Sequence, residues 1–300
     1  MGGSSSSSRP LASVFGVNNE ARPRGPALGT AMVRGDEDSS GWRVLLVGPM
    51  CIQAFEAKTA QAVPAEAVFG GFGKSNSAGS KSSGMTPATG SRTQDIHAPF
   101  TACSVMQTGV SPDYLAIGCQ DGTVLVFALD RGSGSDLLHE LKGELDQQEG
   151  AEESEPSHAK RSLTMSITAL RMDLEHRLYA ASCGRCRLWD LRTGELLREF
   201  HPPGGNARQV TPSSLVVVDS DIIERDAGAS EAPGAQLWIG LDNGTVAVFD
   251  IATGVLVRSF SCTGPEVIVS LALCRSDACV FALSAHRRVS IWETSSCAFL

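Results

Sequence analysis

The sequence lacks three features that would point to common classes of function. Basic residues are not in excess, since 25 Lys and Arg stand against 33 Asp and Glu and give a net charge of −8. A chain with this balance has no basic face with which to neutralise phosphates, so non-specific binding to nucleic acid is not expected. Apolar runs such as 44–47 and 214–218 are the length of strands. They fall far short of the roughly 18 residues of a membrane-spanning helix, which excludes such a span.

Catalytic and cofactor motifs are also missing. The sequence contains no phosphate-binding loop, no nucleophile elbow and no metal-binding helix, and its six histidines are scattered. The one metal-like spacing, Cys183-Gly-Arg-Cys186, has no second pair of ligands at a distance that a structural zinc site needs. The sequence therefore predicts a protein that is not an enzyme and that holds no metal or cofactor.

Nine cysteines are present, an odd number, and most lie inside apolar stretches where a free thiol packs as a small hydrophobe. The chain begins without the apolar core of a secretory leader. We therefore predict an intracellular, cytoplasmic protein in a reducing compartment. The first six residues, MGGSSS, fit the pattern for N-myristoylation of Gly2, which would give a weak membrane tether. An Arg-rich organelle transit peptide is the alternative interpretation of the same stretch.

Three segments have a composition that cannot form a core. Residues 1–40 are rich in Ser, Gly, Pro and Arg, residues 57–97 are rich in Ala, Gly and Ser, and residues 131–161 are acidic. We predict an N-terminal disordered segment and two disordered insertions in a domain that spans 41–300. In the acidic insertion, DLLHELKGEL (136–145) places four leucines at helical spacing. This predicts one short helix, either in a solvated loop or as a docking element for a partner.

Between these segments the sequence repeats itself. An apolar strand, a polar turn and a second strand that ends in an aromatic residue recur at 114–130, 177–191, 236–251 and 279–294, and more weakly at 42–57. The Asp121-Gly122 and Asn243-Gly244 dipeptides are typical of tight hairpin turns. The second residue of the first strand precedes the aromatic residue by 12, 11, 12 and 12 residues in the clear copies. These copies therefore predict β-hairpins.

Two further strands complete each repeat. Apolar segments precede the hairpins at 101–107, 166–172, 213–219 and 267–273. After the hairpin, LRTGELLREF (191–200) and IATGVLVRSF (251–260) agree in a Thr-Gly turn and in a Phe that follows the aromatic residue by 11 positions. The sequence thus predicts four strands per unit.

This pattern resembles the WD-repeat β-propeller family, with four clear repeats and one weak repeat. The resemblance rests on the dipeptides Trp189-Asp190, Phe249-Asp250 and Trp292-Glu293 with their neighbouring turns. It implies an all-β propeller in which Trp189, Asp190, Phe249, Asp250 and Trp292 have structural roles. Each repeat departs from the family's hydrogen-bonded His, Ser/Thr, Asp and Trp tetrad in at least one position. Because the closing Phe of the last unit would fall at position 303, we expect an incomplete propeller, closed by an extension or by a partner.

The function implied by the resemblance is that of a protein-binding scaffold or adaptor. The family usually binds partners through the loops that join the second and third strands and the loops that join each repeat to the next. The matching residues here are Gln120, Asp121, Arg185, Asp242, Asn243, His286 and Arg287. The alternative is a regulatory N-terminal propeller of a larger enzyme, similar to inositol-polyphosphate phosphatases that carry WD repeats. Neither interpretation names the partner protein.

Overall fold

The computed structural model describes residues 29–34, 42–48, 51–56, 62–63, 98–107, 112–130, 134–142, 166–203, 210–227, 234–262 and 264–300. Within these ranges the fold is all-β, with antiparallel sheets and one short helix. The chain divides into two compact units. The first comprises Met1–Phe100, Gln107–Asp113 and Ala128–Asp136, and the second Thr101–Met106, Tyr114–Phe127 and Leu137–Leu300.

The described strands form five sheets, numbered I to V along the chain, each built from strands that are consecutive in sequence. Sheet I contains β1 (Gly29–Arg34), β2 (Trp42–Gly48), β3 (Cys51–Glu56) and β4 (Ala62–Val63). Sheet II contains β5 (Phe100–Met106), β6 (Asp113–Cys119), β7 (Thr123–Asp130) and β8 (Gly134–Lys142). Sheet III contains β9 (Ala169–Met172), β10 (Arg177–Ser182), β11 (Arg185–Asp190) and β12 (Leu196–Phe200). Sheet IV contains β13 (Pro212–Val218), β14 (Gln236–Leu241), β15 (Thr245–Asp250) and β16 (Leu256–Ser261), and sheet V contains β17 (Ile268–Cys274), β18 (Cys279–Ser284) and β19 (Val289–Glu293).

The hairpins predicted from the repeat are present, and the register explains the spacing within them. The apolar residue near the start of each second strand lies opposite the aromatic residue of the third strand, as in Leu178 opposite Trp189, Leu237 opposite Phe249 and Val280 opposite Trp292. Directly opposed side chains on one face of a sheet pack against each other. The spacing of 11 or 12 residues in the sequence is therefore the distance along the chain between two cross-strand partners of one hairpin.

In the second unit, consecutive sheets pack face to face and form the core. One cluster of buried side chains lies between sheets II and III, a second between III and IV, and a third between IV and V. The first strands of neighbouring sheets also lie side by side. There the Thr168 hydroxyl donates to the carbonyl of Pro212 at 2.5 Å, and the Ser213 hydroxyl donates to the carbonyl of Ile268. The joints between sheets III and IV and between sheets IV and V thus combine apolar packing with a side-chain hydrogen bond.

One position in the second strand must be small wherever a following sheet covers it. It is Gly118 in sheet II, Ala181 in sheet III and Gly240 in sheet IV, and all three are buried. A Cβ atom at Gly118 would lie 2.4 Å from Cγ2 of Ile167, and one at Gly240 would lie 2.6 Å from Cγ2 of Ile268. Sheet V has Leu283 at this position, and that side chain is 39% exposed. Sheet V therefore does not repeat the close approach that the other joints require.

Two elements differ in type from the sequence-based expectation. The segment predicted as a short helix in 131–161 contains strand β8 instead, which pairs with β7 as the outer strand of sheet II. The leucine spacing is helical, but edge pairing with β7 satisfies the backbone and buries Leu141, and this outweighs local periodicity. The connection between β13 and β14, for which the sequence predicts no element, contains helix α1 (Ser220–Ala227), whose Ile222 and Ile223 are buried against sheets IV and V.

Besides β8, which lies in the insertion 131–161, two strands lie in segments that the sequence predicts to be disordered. Strand β1 falls inside 1–40 and pairs along its whole length with β2, and the two-residue strand β4 falls inside 57–97 and pairs with β3. In each case a neighbouring strand supplies the backbone hydrogen-bond partners, so a strand forms although the local composition does not favour one. The rest of these two segments lies outside the described residues.

Candidate functional site

The candidate binding residues lie in, or directly beside, the four turns that join the second and third strands of sheets II to V. These turns, at 120–122, 183–184, 242–244 and 285–288, are called here the turn row. Backbone hydrogen bonds tie the first two turns to the beginning of the next sheet. The amide of Ile167 donates to the carbonyl of Cys119 at 3.1 Å, and the amide of Gly184 donates to the carbonyl of Val210 at 3.0 Å. The first three turns therefore contact the entry to the sheet that follows, whereas the fourth bonds to the entry of its own sheet through the Ala285 amide and the Val267 carbonyl at 2.9 Å. All four turns lie at the same end of their sheets, along one edge of the second unit.

Three of the predicted binding residues build the turns themselves. Asp121 Oδ1 accepts the amide of Thr123 at 3.0 Å, and Asn243 Oδ1 accepts the amide of Thr245 at the same distance. Asp and Asn commonly close turns in this way. Asp242 accepts the amide of Thr211 at 3.1 Å and so fixes the entry to β13. These contacts fully account for the three residues as structural groups, although Asp121 and Asn243 are also exposed.

Gln120 in the first turn is half-buried, and so is Arg185, which begins β11 directly after the second turn. Arg185 Nη1 lies 3.9 Å from Glu199 Oε1, which also accepts Nε of Arg187 at 2.5 Å. This carboxylate therefore holds two guanidinium groups against the outer strand of sheet III. Arg185 is consequently less free than an isolated surface arginine to change its position for a partner.

The fourth turn is unlike the other three. The residue five positions before the third-strand aromatic has a positive φ in every turn, and it is glycine with φ of 87°, 76° and 81° in the first three. In the fourth turn this residue is Arg287, with φ of 63°. A residue with a Cβ atom in this region is strained by about 1–2 kcal/mol. The Arg287 side chain is exposed, so packing does not explain why arginine replaces glycine there.

Charged groups surround Arg287 on the surface. The neighbouring side chains of His286 and Arg288 are 71% and 56% exposed, and both face Glu266 at the entry to β17. His286 Nδ1 lies 3.2 Å from Glu266 Oε1, and Arg288 Nη1 lies 3.8 Å from the same oxygen. The Ser284 hydroxyl donates to Glu266 Oε2 at 2.8 Å, and this bond, aided by His286 and Arg288, holds the pKa of Glu266 below its ordinary value.

The residues predicted to have structural roles lie elsewhere. Trp189, Phe249 and Trp292 are buried in the core. Asp190 and Asp250 lie at the opposite edge from the turn row, where their carboxylates accept the amides of Arg192 and Thr253 at 2.7 Å and so close the Thr-Gly turns. Gly2, the predicted lipidation site, lies outside the described residues.

Contacts between sheets were not predicted, although the sequence contains their signals. Phe200 packs edge-on against Phe249 at a centroid distance of 5.5 Å, and Phe260 lies 4.7 Å from Trp292. The closing Phe of one sheet therefore contacts the third-strand aromatic residue of the next sheet. Arg198 donates to the carbonyls of Thr253 and Ala252 at 2.7 and 2.6 Å, and the equivalent Arg258 donates to the carbonyl of Ser296. Both arginines stand two residues before the closing Phe in the aligned repeats.

The described residues form neither a metal-binding cluster nor a membrane-spanning helix. Within the described ranges, no group of three or more His, Cys, Asp or Glu side chains is arranged to hold a metal ion. In the Cys183 and Cys186 pair, the fully buried Cys186 has its pKa raised by burial, and Cys183 contacts the Thr211 hydroxyl. The helical part of the described chain includes nothing with the length and apolar character of a membrane span.

No protein-family model matches the chain, and no curated protein matches it. Solved structures share its fold. The computationally designed protein Ika8 has a TM-score of 0.51 and 19% identity, over 90% of this chain and 60% of that protein. Raptor from Chaetomium thermophilum has a TM-score of 0.56 and 13% identity, over 96% of this chain and 21% of that protein. The chain thus spans less than two thirds of either structure, and identities this low show similarity of fold alone.

Proposed function

We propose that this protein is a non-catalytic scaffold that binds other proteins through the turn row, and that its sheets are the blades of a WD-repeat-like propeller. The observation that carries the proposal is the exposed Arg287 in a left-handed backbone conformation. Three equivalent turns have glycine there. Non-glycine residues in this conformation cost about 1–3 kcal/mol and are concentrated at functional sites.

The charges near Arg287 indicate the chemistry of the partner. His286, Arg287 and Arg288 are consecutive and exposed, whereas Glu266 is the carboxylate that faces this group and is only 15% exposed. The surface is therefore more basic than the chain as a whole, whose net charge is −8. An acidic segment of a partner protein matches this turn, because guanidinium groups form bidentate hydrogen bonds with carboxylates.

Quantitative affinity capture tests the proposal with variants that leave the fold intact. Arg287→Gly removes the side chain and places glycine where the backbone favours it. Arg192→Gly is the matched control, since Arg192 is exposed, has the same charge and lies in a turn at the opposite edge. We expect the bound proteins to fall at least about tenfold with Arg287→Gly, equivalent to about 1.4 kcal/mol of binding free energy. They should be retained with Arg192→Gly.

Salt provides a second readout. Binding through exposed guanidinium groups should weaken as ionic strength rises, because salt screens exposed charges. If both variants retained the same proteins at the same level, the turn row would not be the binding surface. If both lost them equally, the effect would come from net charge rather than from the turn row.

A further inference from the structure

Cys274 and Cys279 lie directly opposite each other at the end of the β17–β18 hairpin. They are register partners in this antiparallel pair, and both carry reduced thiol groups. Opposed residues in antiparallel strands have Cα atoms about 4.5 or 5.5 Å apart, depending on the hydrogen-bonding pattern. Both separations fall inside the range of about 4.4–6.8 Å that a disulfide spans. No large backbone movement is therefore needed to join them.

Both thiol groups also form hydrogen bonds with the same residue, Asp277, in the turn between the two cysteines. The Cys274 thiol donates to Asp277 Oδ2 at 3.0 Å, and the Cys279 thiol donates to the backbone carbonyl of the same residue at 2.9 Å. Opposed residues point to the same face of a sheet. Both thiols are thus held on one side of the hairpin around Asp277.

The two thiols differ in access. Cys274 is partly exposed, whereas Cys279 is buried. A soluble reagent therefore reaches Cys274 first. The Cys183 and Cys186 pair provides a contrast, because the register places Cys186 opposite Ala181 and so separates it from Cys183. The cysteine pair that is conspicuous in the sequence is not the pair that faces across strands.

We propose that Cys274 and Cys279 form a redox-sensitive pair that closes to a cross-strand disulfide on reaction with a small disulfide such as oxidised glutathione. The Cys274 thiolate attacks one sulfur of oxidised glutathione, forms a mixed disulfide and releases one glutathione thiolate. The Cys279 thiolate then attacks Sγ of Cys274 and releases the second glutathione. The two protons leave the protein thiols for the two glutathione thiolates, so one disulfide is reduced as one forms.

Peptide mapping of the folded chain tests this proposal. After treatment with oxidised glutathione, free thiols are alkylated and the protein is cleaved with trypsin. Cleavage after Arg275 separates the cysteines, so the disulfide joins peptide 259–275 to peptide 276–287. The second peptide contains only Cys279, and the first contains Cys262 as well as Cys274. We expect the linked pair of peptides in the oxidised sample and its loss after reduction.

Two variants assign the linkage. Cys262→Ser is the matched control and should retain the linked peptides, whereas Cys274→Ser should abolish them. Three outcomes of the wild-type experiment or its variants would overturn the proposal. They are a mixed disulfide that persists on Cys274, thiols that stay free under oxidation, or a link that survives in Cys274→Ser. The first two come from the unaltered chain, so the result does not depend on whether a variant folds.

Discussion

Substituting Gly240 with alanine tests the close packing of sheets IV and V. The new Cβ atom would lie 2.6 Å from Cγ2 and 3.0 Å from Cβ of Ile268, and 3.4 Å from Cγ of Leu271. Carbon atoms in contact prefer about 3.5–4.0 Å, so the sheets must separate or Ile268 must leave its rotamer. Overpacking of this kind costs about 1–3 kcal/mol. A lower unfolded-state entropy offsets about 0.4–1 kcal/mol of that cost. We expect a net loss of about 1.5 kcal/mol in the free energy of unfolding.

A double-mutant cycle distinguishes this clash from a general effect on the strand. Ile268→Ala alone should cost about 2–5 kcal/mol, since Ile268 is fully buried. In the double variant Cγ2 is absent and the new methyl group partly fills the cavity, so the combined cost should be about 1 kcal/mol or more below the sum. The assay is equilibrium unfolding in urea.

The position in sheet V that is equivalent to Gly240 provides a comparison for the loss in free energy of unfolding. Leu283 is the equivalent residue but is partly exposed, so Leu283→Ala should cost less than about 1 kcal/mol. Costs of Gly240→Ala and Ile268→Ala that add to within about 0.3–0.5 kcal/mol would refute the packing argument. So would a Gly240→Ala variant that is more stable than the wild type.

Two further predictions concern polar groups in the second unit. Tyr179→Phe removes the buried hydroxyl that donates to Asp173 Oδ2 at 2.9 Å, and should lower the free energy of unfolding by about 1.5 kcal/mol in urea melts at neutral pH. Burial raises the pKa of Tyr179, so the protonated hydroxyl stabilises the wild type below about pH 10 and this contribution is lost as the pH rises further. The difference in free energy of unfolding between the wild type and Tyr179→Phe should therefore narrow above about pH 10. Glu266→Gln should destabilise the chain at pH 7, and because the pKa of Glu266 is lowered, the deficit should shrink as pH falls below about 4. A Glu266→Gln deficit that is constant between pH 3 and pH 7 would contradict this, and the exposed Glu195→Gln is the control.

The strands and hairpins were predictable because their signals are local. Alternating apolar residues and tight Gly turns specify each hairpin, and the cross-strand pair Leu237 and Phe249 fixes its length. Strand β8 was mispredicted because its leucines have helical spacing, while its conformation depends on pairing with β7. Local sequence contains no information on which strand is available as a neighbour.

The candidate site was predictable only in part. Its turns follow from the repeat, but the strain at Arg287 depends on a backbone angle that no motif specifies. The pairing of Glu266 with His286 joins residues on different strands and needs the fold. The small residues Gly118 and Gly240, by contrast, align in the repeats and could have been recognised as packing positions.

If the proposed function is correct, Arg287 serves binding and not folding. The most direct test is the free energy of unfolding of Arg287→Gly, measured in urea against the wild type. Relief of the left-handed strain gives about 1–2 kcal/mol, and the extra unfolded-state entropy of glycine removes about 0.4–1 kcal/mol of this. We predict a variant that is more stable by about 0.5–1 kcal/mol. A variant less stable than the wild type would show that the arginine supports the fold, and would contradict the claim.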